Sequence, residues 1–218
     1  MVLAAGAGRR YGPRPKQYEL LVAERVIDRS LATARAAADH VVVVLAPGDQ
    51  AEGDALVESG AADVAVEGGA QRADSVRAAL AVVDADAAVI VVHDAARPLA
   101  SAELHQAVVA AVHAGADAAI PGIPVSDTIK RVEHDEHGDA VVVETLDRAR
   151  LVAVQTPQAF RADLLRAAHA GGADATDDAA LVEAVGGTVV VVPGEPTNLK
   201  ITGPHDLAVA TALLRALG

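Results

Sequence analysis

The chain has 218 residues, a formal net charge of −12, and a 52% apolar share that is nearly all Ala, Val and Leu, with one Phe, two Tyr, no Trp and no Cys. Its length fits one domain with a sizeable core, and the lack of Cys excludes disulfide scaffolds, thiol nucleophiles and Cys-ligated zinc. Acidity and the shortage of aromatics argue against nucleic acid or an anionic membrane as partner, while the absence of an export signal or a membrane-length apolar run sets the expectation of a soluble cytoplasmic protein.

The first expected strand, Met1 to Ala4, is short for a central strand. It leads into the small-residue turn Ala5-Gly6-Ala7-Gly8, followed within a few positions by Arg9, Arg10, Arg14 and Lys16. Small residues let the backbone approach a ligand, turn N–H groups cradle anionic oxygens, and the cations neutralise phosphate charge. This is the composition of a triphosphate seat. It fails the dinucleotide fingerprint, because Gly6, Gly8 and Gly12 are spaced G-x-G-x-x-x-G and no acidic residue ends the next strand. It also lacks the Gly-Lys-Ser/Thr of a P-loop.

Beyond the turn, helices are predicted over Glu24 to Ala38, Gln50 to Glu58, Ser75 to Val83, Ala102 to His113, Arg161 to Ala170, Thr176 to Val185 and Pro204 to Leu217. Strands are predicted over His40 to Leu45, Asp63 to Val66, Ala87 to Val92, Ala118 to Pro121 and Thr188 to Val192. Continuous Val-rich runs such as Val41-Val42-Val43-Val44 fit strands covered on both faces. The alternation predicts an α/β fold with a doubly wound, mostly parallel, Rossmann-like sheet. One segment departs from it: 127–148 reads as a β-hairpin arm, with strands Thr128 to Glu133 and Val141 to Leu146 around the polar turn His134 to Asp139. Two strands alone are marginal in water, so the arm is expected to pack on its own body or on a second subunit. The His134-Asp135-Glu136-His137 cluster reads as a solvated hairpin tip rather than a metal site, and Asp174 to Asp178 as a helix N-terminus capped by Thr176.

In such sheets ligands lie beyond the carboxyl ends of the strands, where the basic turn, His93-Asp94-Ala95-Ala96-Arg97-Pro98 and Asn198-Leu199-Lys200 all fall. A carboxylate such as Asp94 directly after a buried strand can meet a metal ion or a substrate hydroxyl, or can cap its own turn with Arg97 as partner. His93 stays without a role.

Several runs together resemble the 2-C-methyl-D-erythritol 4-phosphate cytidylyltransferase family: Ala4-Ala5-Gly6-Ala7-Gly8-Arg9-Arg10, Pro15-Lys16-Gln17-Tyr18, Gly68-Gly69-Ala70-Gln71-Arg72-Ala73-Asp74-Ser75-Val76, Val92 to Pro98, Asp127-Thr128-Ile129-Lys130, Gln155-Thr156-Pro157-Gln158 and Asn198-Leu199-Lys200. The resemblance implies transfer of CMP from CTP to a methylerythritol phosphate in isoprenoid precursor synthesis, with release of pyrophosphate. It implies Mg²⁺ carried mainly on the CTP phosphates, and no metal site made by side chains alone. Arg10 and Lys16 would stabilise the transition state, and Arg148 and Lys200 would position the attacking phosphate. Ala4, Ala5, Gly6, Ala7, Gly8, Gly69 and Ser75 would hold the cytidine. Asp94, Arg97 and Thr128 would line the sugar-phosphate site, with Thr156 and Thr176 as further substrate-side candidates. The resemblance also implies a homodimer in which the arm carries Thr128 and Arg148 to the partner's site.

The chemistry agrees with these residue types. When a phosphate attacks the α-phosphorus of a triphosphate, two anions meet and charge grows on the leaving pyrophosphate, so the task is positioning and charge neutralisation. The alternatives are a ribitol-5-phosphate cytidylyltransferase, a non-catalytic CTP-binding sensor and, further off, a dinucleotide oxidoreductase.

Overall fold

A computed structural model describes residues 1–6, 15–173, 175 and 177–217. In chain order the elements are β1 (Val2–Leu3), β2 (Leu20–Leu21), β3 (Glu24–Arg25), α1 (Val26–Ala37), β4 (Val42–Leu45), α2 (Gln50–Glu58), β5 (Val64–Glu67), α3 (Arg72–Leu80), β6 (Val89–Asp94), α4 (Ala102–His113), β7 (Ala118–Pro124), β8 (Lys130–His134), β9 (Ala140–Thr145), β10 (Val152–Val154), β11 (Gln158–Arg161), α5 (Ala162–Ala170), α6 (Asp178–Ala184), β12 (Val189–Pro193) and α7 (Pro204–Leu217).

The expected α/β architecture is present. Strands β5, β4, β1 and β6 lie side by side in parallel, and β12 runs parallel to β7. The valine run in β4 explains the double winding. Val43 and Leu45 join Ile27 and Leu31 of α1 and Leu56 of α2 in one cluster, whereas Val42 and Val44 join Ala79 of α3 in another. Side chains alternate across a strand, so an unbroken apolar run needs helices on both faces. Short as it is, β1 sits between β4 and β6 and bonds to both, with the Ala4 amide reaching Val44 O and the Ala95 amide reaching Leu3 O. None of the described helices is long and apolar enough to cross a membrane.

Several boundaries differ from expectation for local reasons. Glu24 and Arg25 do not open α1; they pair with Leu21 and Leu20 across a turn in which Val22 has φ 65°, an unusual conformation for a β-branched residue. Helix α3 starts at Arg72 rather than Ser75, because the Asp74 carboxylate accepts from the Gln71 amide at 3.0 Å and closes a capping box. Helix α6 starts at Asp178, with Asp177 as its cap through a 3.0 Å bond from the Ala180 amide. Thr176, the expected cap, lies outside the described residues.

The largest difference is the segment 152–161, which no strand was assigned to. Its two pieces, β10 and β11, run antiparallel along β7, and β11 enters the centre of the sheet between β7 and β6. Four residues bounded by Gln158 and Arg161 carry too little apolar pattern to be read as a central strand. The arm forms its own two-stranded sheet from β8 and β9, and every residue of both strands is exposed.

Phe160 on β11 is fully buried in a cluster with Ile90, Val92, Leu165 and Val182, and so joins the antiparallel insert to α5 and α6. Phe160→Ala is expected to lower the unfolding free energy by about 3–5 kcal/mol, as large-to-small changes in tight cores do. Urea denaturation measures it, and a loss below about 1 kcal/mol would contradict this packing.

Candidate active site

A cavity of about 590 Å³ opens at the carboxyl ends of the parallel strands. Ala4, Ala5 and Gly6 after β1 line it, with Gly68 and Gly69 after β5 and Ser75 of α3 packed beside them. Asp94 at the end of β6, Lys16, Arg72 and Lys200 complete it.

The turn after β5 requires glycine at both positions. A Cβ on Gly68 would stand 2.5 Å from Ala5 Cβ and 2.7 Å from Ser75 Oγ, and one on Gly69 would stand 2.2 Å from Asp74 Cβ. The backbone at Gly68 and Gly69 therefore lies against the side chains of Ala5, Asp74 and Ser75 at a distance that leaves no room for a Cβ. Ser75 Oγ accepts from the Gly69 amide at 3.2 Å, fixing the turn to the start of α3. Gln17 is buried and its side-chain amide donates to Ala4 O at 2.9 Å, tying the segment that carries Lys16 to the end of β1.

The other side is built from charge. Asp94 Oδ2 lies 2.6 Å from Lys200 Nζ and Asp94 Oδ1 lies 4.0 Å from Arg72 Nε. Burial works to raise the Asp94 pKa, but Lys200 and then Arg72 outweigh it, so the carboxyl is held below its ordinary value. Arg72 also pairs at 2.7 Å with Asp178, which is buried and bonded at 3.0 Å to His169. The α6 N-terminus is thereby fastened to the cavity wall.

The structure thus gathers Ala4, Ala5, Gly6, Lys16, Gly69, Ser75, Asp94 and Lys200 around one cavity. Arg10, Ala7, Gly8 and Thr176 lie outside the described residues. Thr156 and Arg97 sit behind the cavity. Thr156 is buried, with its hydroxyl against the Asp94 amide at 3.0 Å and His93 Nδ1 at 3.2 Å, and Arg97 donates to Asn198 O at 2.8 Å and Val154 O at 3.4 Å. Thr128 and Arg148 are exposed at the base of the arm and are not cavity-lining residues of their own chain; Arg148 bonds to Ser126 O. Gln17 and Arg72 had no assigned role from sequence, although both stand inside the quoted motifs. What they do depends on partners far away along the chain.

Among the described residues no group of three His, Asp or Glu side chains could hold a metal ion. The one carboxylate among the described cavity-lining residues, Asp94, is already paired with Lys200 and Arg72.

The fold is an α/β sheet of the Rossmann-like kind, with a small-residue cradle on one side of its cavity and paired charges on the other. The family model for 2-C-methyl-D-erythritol 4-phosphate cytidylyltransferase matches residues 1–216. The enzyme of that name from Saccharopolyspora erythraea is 46% identical over 98% of this chain and 97% of its own length. The bifunctional enzyme IspD/IspF of Anaeromyxobacter dehalogenans is 48% identical over 99% of this chain, which spans 56% of that relative's length. Among solved structures, the Thermus thermophilus cytidylyltransferase superposes with a TM-score of 0.80 at 37% identity, covering 99% of this chain and 98% of that one. The chain belongs to the 2-C-methyl-D-erythritol 4-phosphate cytidylyltransferase family.

Two predictions follow from this geometry. Gly69→Ala is expected to weaken CTP binding roughly tenfold or more, because the wall must open where Asp74 stands; calorimetric titration with CTP tests it, and unchanged affinity would show that the cradle is not the nucleotide side. The second concerns pH. Burial, followed by the neighbouring His105 ring, pushes His93 down from 6.5 to about 3, against the pull of the Asp94 charge and with that of Arg97. Burial lowers His105 as well. The unfolded chain takes up these protons below about pH 6.5 and the folded chain does not, so the stabilisation is complete above that pH and is lost on falling towards about pH 3. Urea midpoints are expected to decline from about pH 7.5 to about pH 5, with a shallower slope in His93→Phe; parallel slopes in the two proteins would contradict a neutral buried His93.

Proposed function

We propose that this chain transfers CMP from CTP to 2-C-methyl-D-erythritol 4-phosphate, yielding 4-diphosphocytidyl-2-C-methyl-D-erythritol and pyrophosphate, in isoprenoid precursor synthesis. The observation that carries the reading is the cavity with two unlike walls, Ala4 to Gly6 with Gly69 and Ser75 on one side and Asp94 beside Lys200 on the other, in a chain of this family.

An oxygen of the acceptor phosphate forms a bond to the α-phosphorus of CTP, and the bond from that phosphorus to the oxygen it shares with the β-phosphorus breaks, so that this oxygen leaves with pyrophosphate. No proton has to leave the nucleophile, which is already an anion. Backbone amides of the cradle and Ser75 hold the cytidine side. Lys16, with Arg10, neutralises charge that grows on the triphosphate oxygens during transfer. Lys200 brings the acceptor phosphate in against the repulsion of the nucleotide, and Asp94 receives the acceptor's hydroxyls while holding the Lys200 ammonium in place. Mg²⁺ on the triphosphate supplies further charge neutralisation when bound.

A second copy of the chain completes the acceptor side in this proposal. Thr128 and Arg148 are exposed away from their own cavity, and the arm bears Val132, Val141, Val142 and Val143, each 44–55% exposed. An apolar strand pair of this kind is covered in a dimer, which would carry both residues to the partner's site. Deleting 135–138 is expected to leave dimer and activity, and deleting the whole arm to abolish both; an active monomer without the arm would rule out the role in trans.

The reading is tested by supplying CTP and Mg²⁺ with either methylerythritol phosphate or ribitol 5-phosphate and following pyrophosphate. Preference for the first is expected. Preference for ribitol phosphate would change the acceptor, and CTP binding without product would make the chain a sensor. Lys16→Ala is expected to lower turnover by roughly a hundredfold with the fold retained, as loss of one transition-state donor does; near-normal turnover would remove Lys16 from the chemistry.

A further inference from the structure

We propose that His93, acting through the Thr156 hydroxyl, is a positioning residue that fixes the Asp94 main chain and with it the placement of the Asp94 carboxylate. The inference rests on the reading of Asp94 as part of the acceptor side.

The need arises where β6 runs out of strand partners. On its β1 side the His93 and Ala95 amides bond to Met1 O and Leu3 O, so the Asp94 amide faces the other way, towards the segment that carries β11. There the ladder ends at Gln158 opposite Val92. The Thr156 carbonyl receives Asn198 Nδ2 at 2.9 Å. The acceptor for the Asp94 amide comes from a side chain instead. The Thr156 hydroxyl takes that place, accepting from it at 3.0 Å.

A hydroxyl that accepts there still has one hydrogen of its own to place. Its other partner is His93 Nδ1 at 3.2 Å. With Nδ1 as the unprotonated nitrogen, the ring proton sits on Nε2 and the chain runs from Asp94 N–H to Thr156 Oγ1 and from Thr156 O–H to His93 Nδ1. Both side chains are buried, at 1% exposed for His93 and 6% for Thr156, so water does not substitute for either bond. His105 stacks at a tilt against His93, with ring centroids 5.0 Å apart, and its own Nδ1 lies 2.9 Å from Ser101 O, which anchors it to the start of α4. The His93 ring is thereby held in one orientation. Burial keeps it neutral, and a charged ring would present an N–H to Thr156 where an acceptor is needed.

The output of this chain is the strand end that sets Asp94 2.6 Å from Lys200 Nζ. Loss of the His93 acceptor frees the Thr156 hydroxyl to turn and leaves the Asp94 amide competing for it. The cytidine cradle is built from β1, β5 and α3, so the consequence falls on the acceptor.

The test combines kinetics with spectroscopy on the full-length protein. Proton–nitrogen correlation spectra of the His93 ring at neutral pH are expected to show a neutral imidazole with its proton on Nε2. His93→Phe and Thr156→Val are each expected to raise KM for methylerythritol phosphate roughly tenfold while KM for CTP stays within about twofold, and the double variant is expected to be no worse than either single one. His93→Asn, whose amide oxygen takes the place of Nδ1, is expected to recover most of the loss, and Thr156→Ser, which keeps the hydroxyl, to raise the acceptor KM less than Thr156→Val does. A ring protonated on Nδ1, a charged ring, equal losses towards both substrates, additive losses, or an unchanged acceptor KM in folded His93→Phe would each overturn the proposal. If His93→Phe fails to fold, Thr156→Val decides. The ring spectrum needs no turnover, so it judges His93 even where the unaltered protein fails to use the acceptor, a failure that would count against the proposed function instead.

Discussion

Asp94 and Lys200 are 106 positions apart in the chain and 2.6 Å apart in the fold, and the two-sided site depends on that meeting. The contact contributes little to stability, because the Lys200 side chain is 42% exposed and water screens the pair. Its effect is placement. In a protein of net charge −12, the Lys200 ammonium held at a strand end gives the proposed acceptor phosphate a place to approach. Arg72, reaching from α3 to both Asp94 and Asp178, joins the same point to the α5–α6 side of the sheet.

The nucleotide side obeys a different constraint, which is steric. Gly68 and Gly69 leave room for Ala5 and Asp74 where any Cβ would collide, so the turn after β5 can lie against the turn after β1. Small residues suit a ligand edge that is recognised by backbone, and cations suit one recognised by charge. In the proposed reaction the two chemistries serve two different phosphorylated substrates.

Much of this was legible in the sequence where local patterns suffice. The unbroken valines of β4 announced a strand covered on both faces, and the polar turn between two apolar runs announced the arm. Glycines and cations near strand ends likewise pointed to one crevice. What escaped had no local pattern. Strand β11 is four residues long and owes its central position to partners on β6 and β7. Arg72 looked like any helix-opening arginine until its partners from two other elements were in view. Thr156 shows the same limit from the other side: a motif marked it, but only its burial and its bonds to Asp94 and His93 give it an internal task.

The account turns on the division between a nucleotide wall and an acceptor wall. Calorimetric titration of Lys200→Gln with CTP and, separately, with methylerythritol phosphate in the presence of a non-reacting CTP analogue measures that division directly. CTP affinity close to that of the unaltered protein together with loss of acceptor binding is the predicted result. Loss of CTP affinity with acceptor binding intact would contradict it.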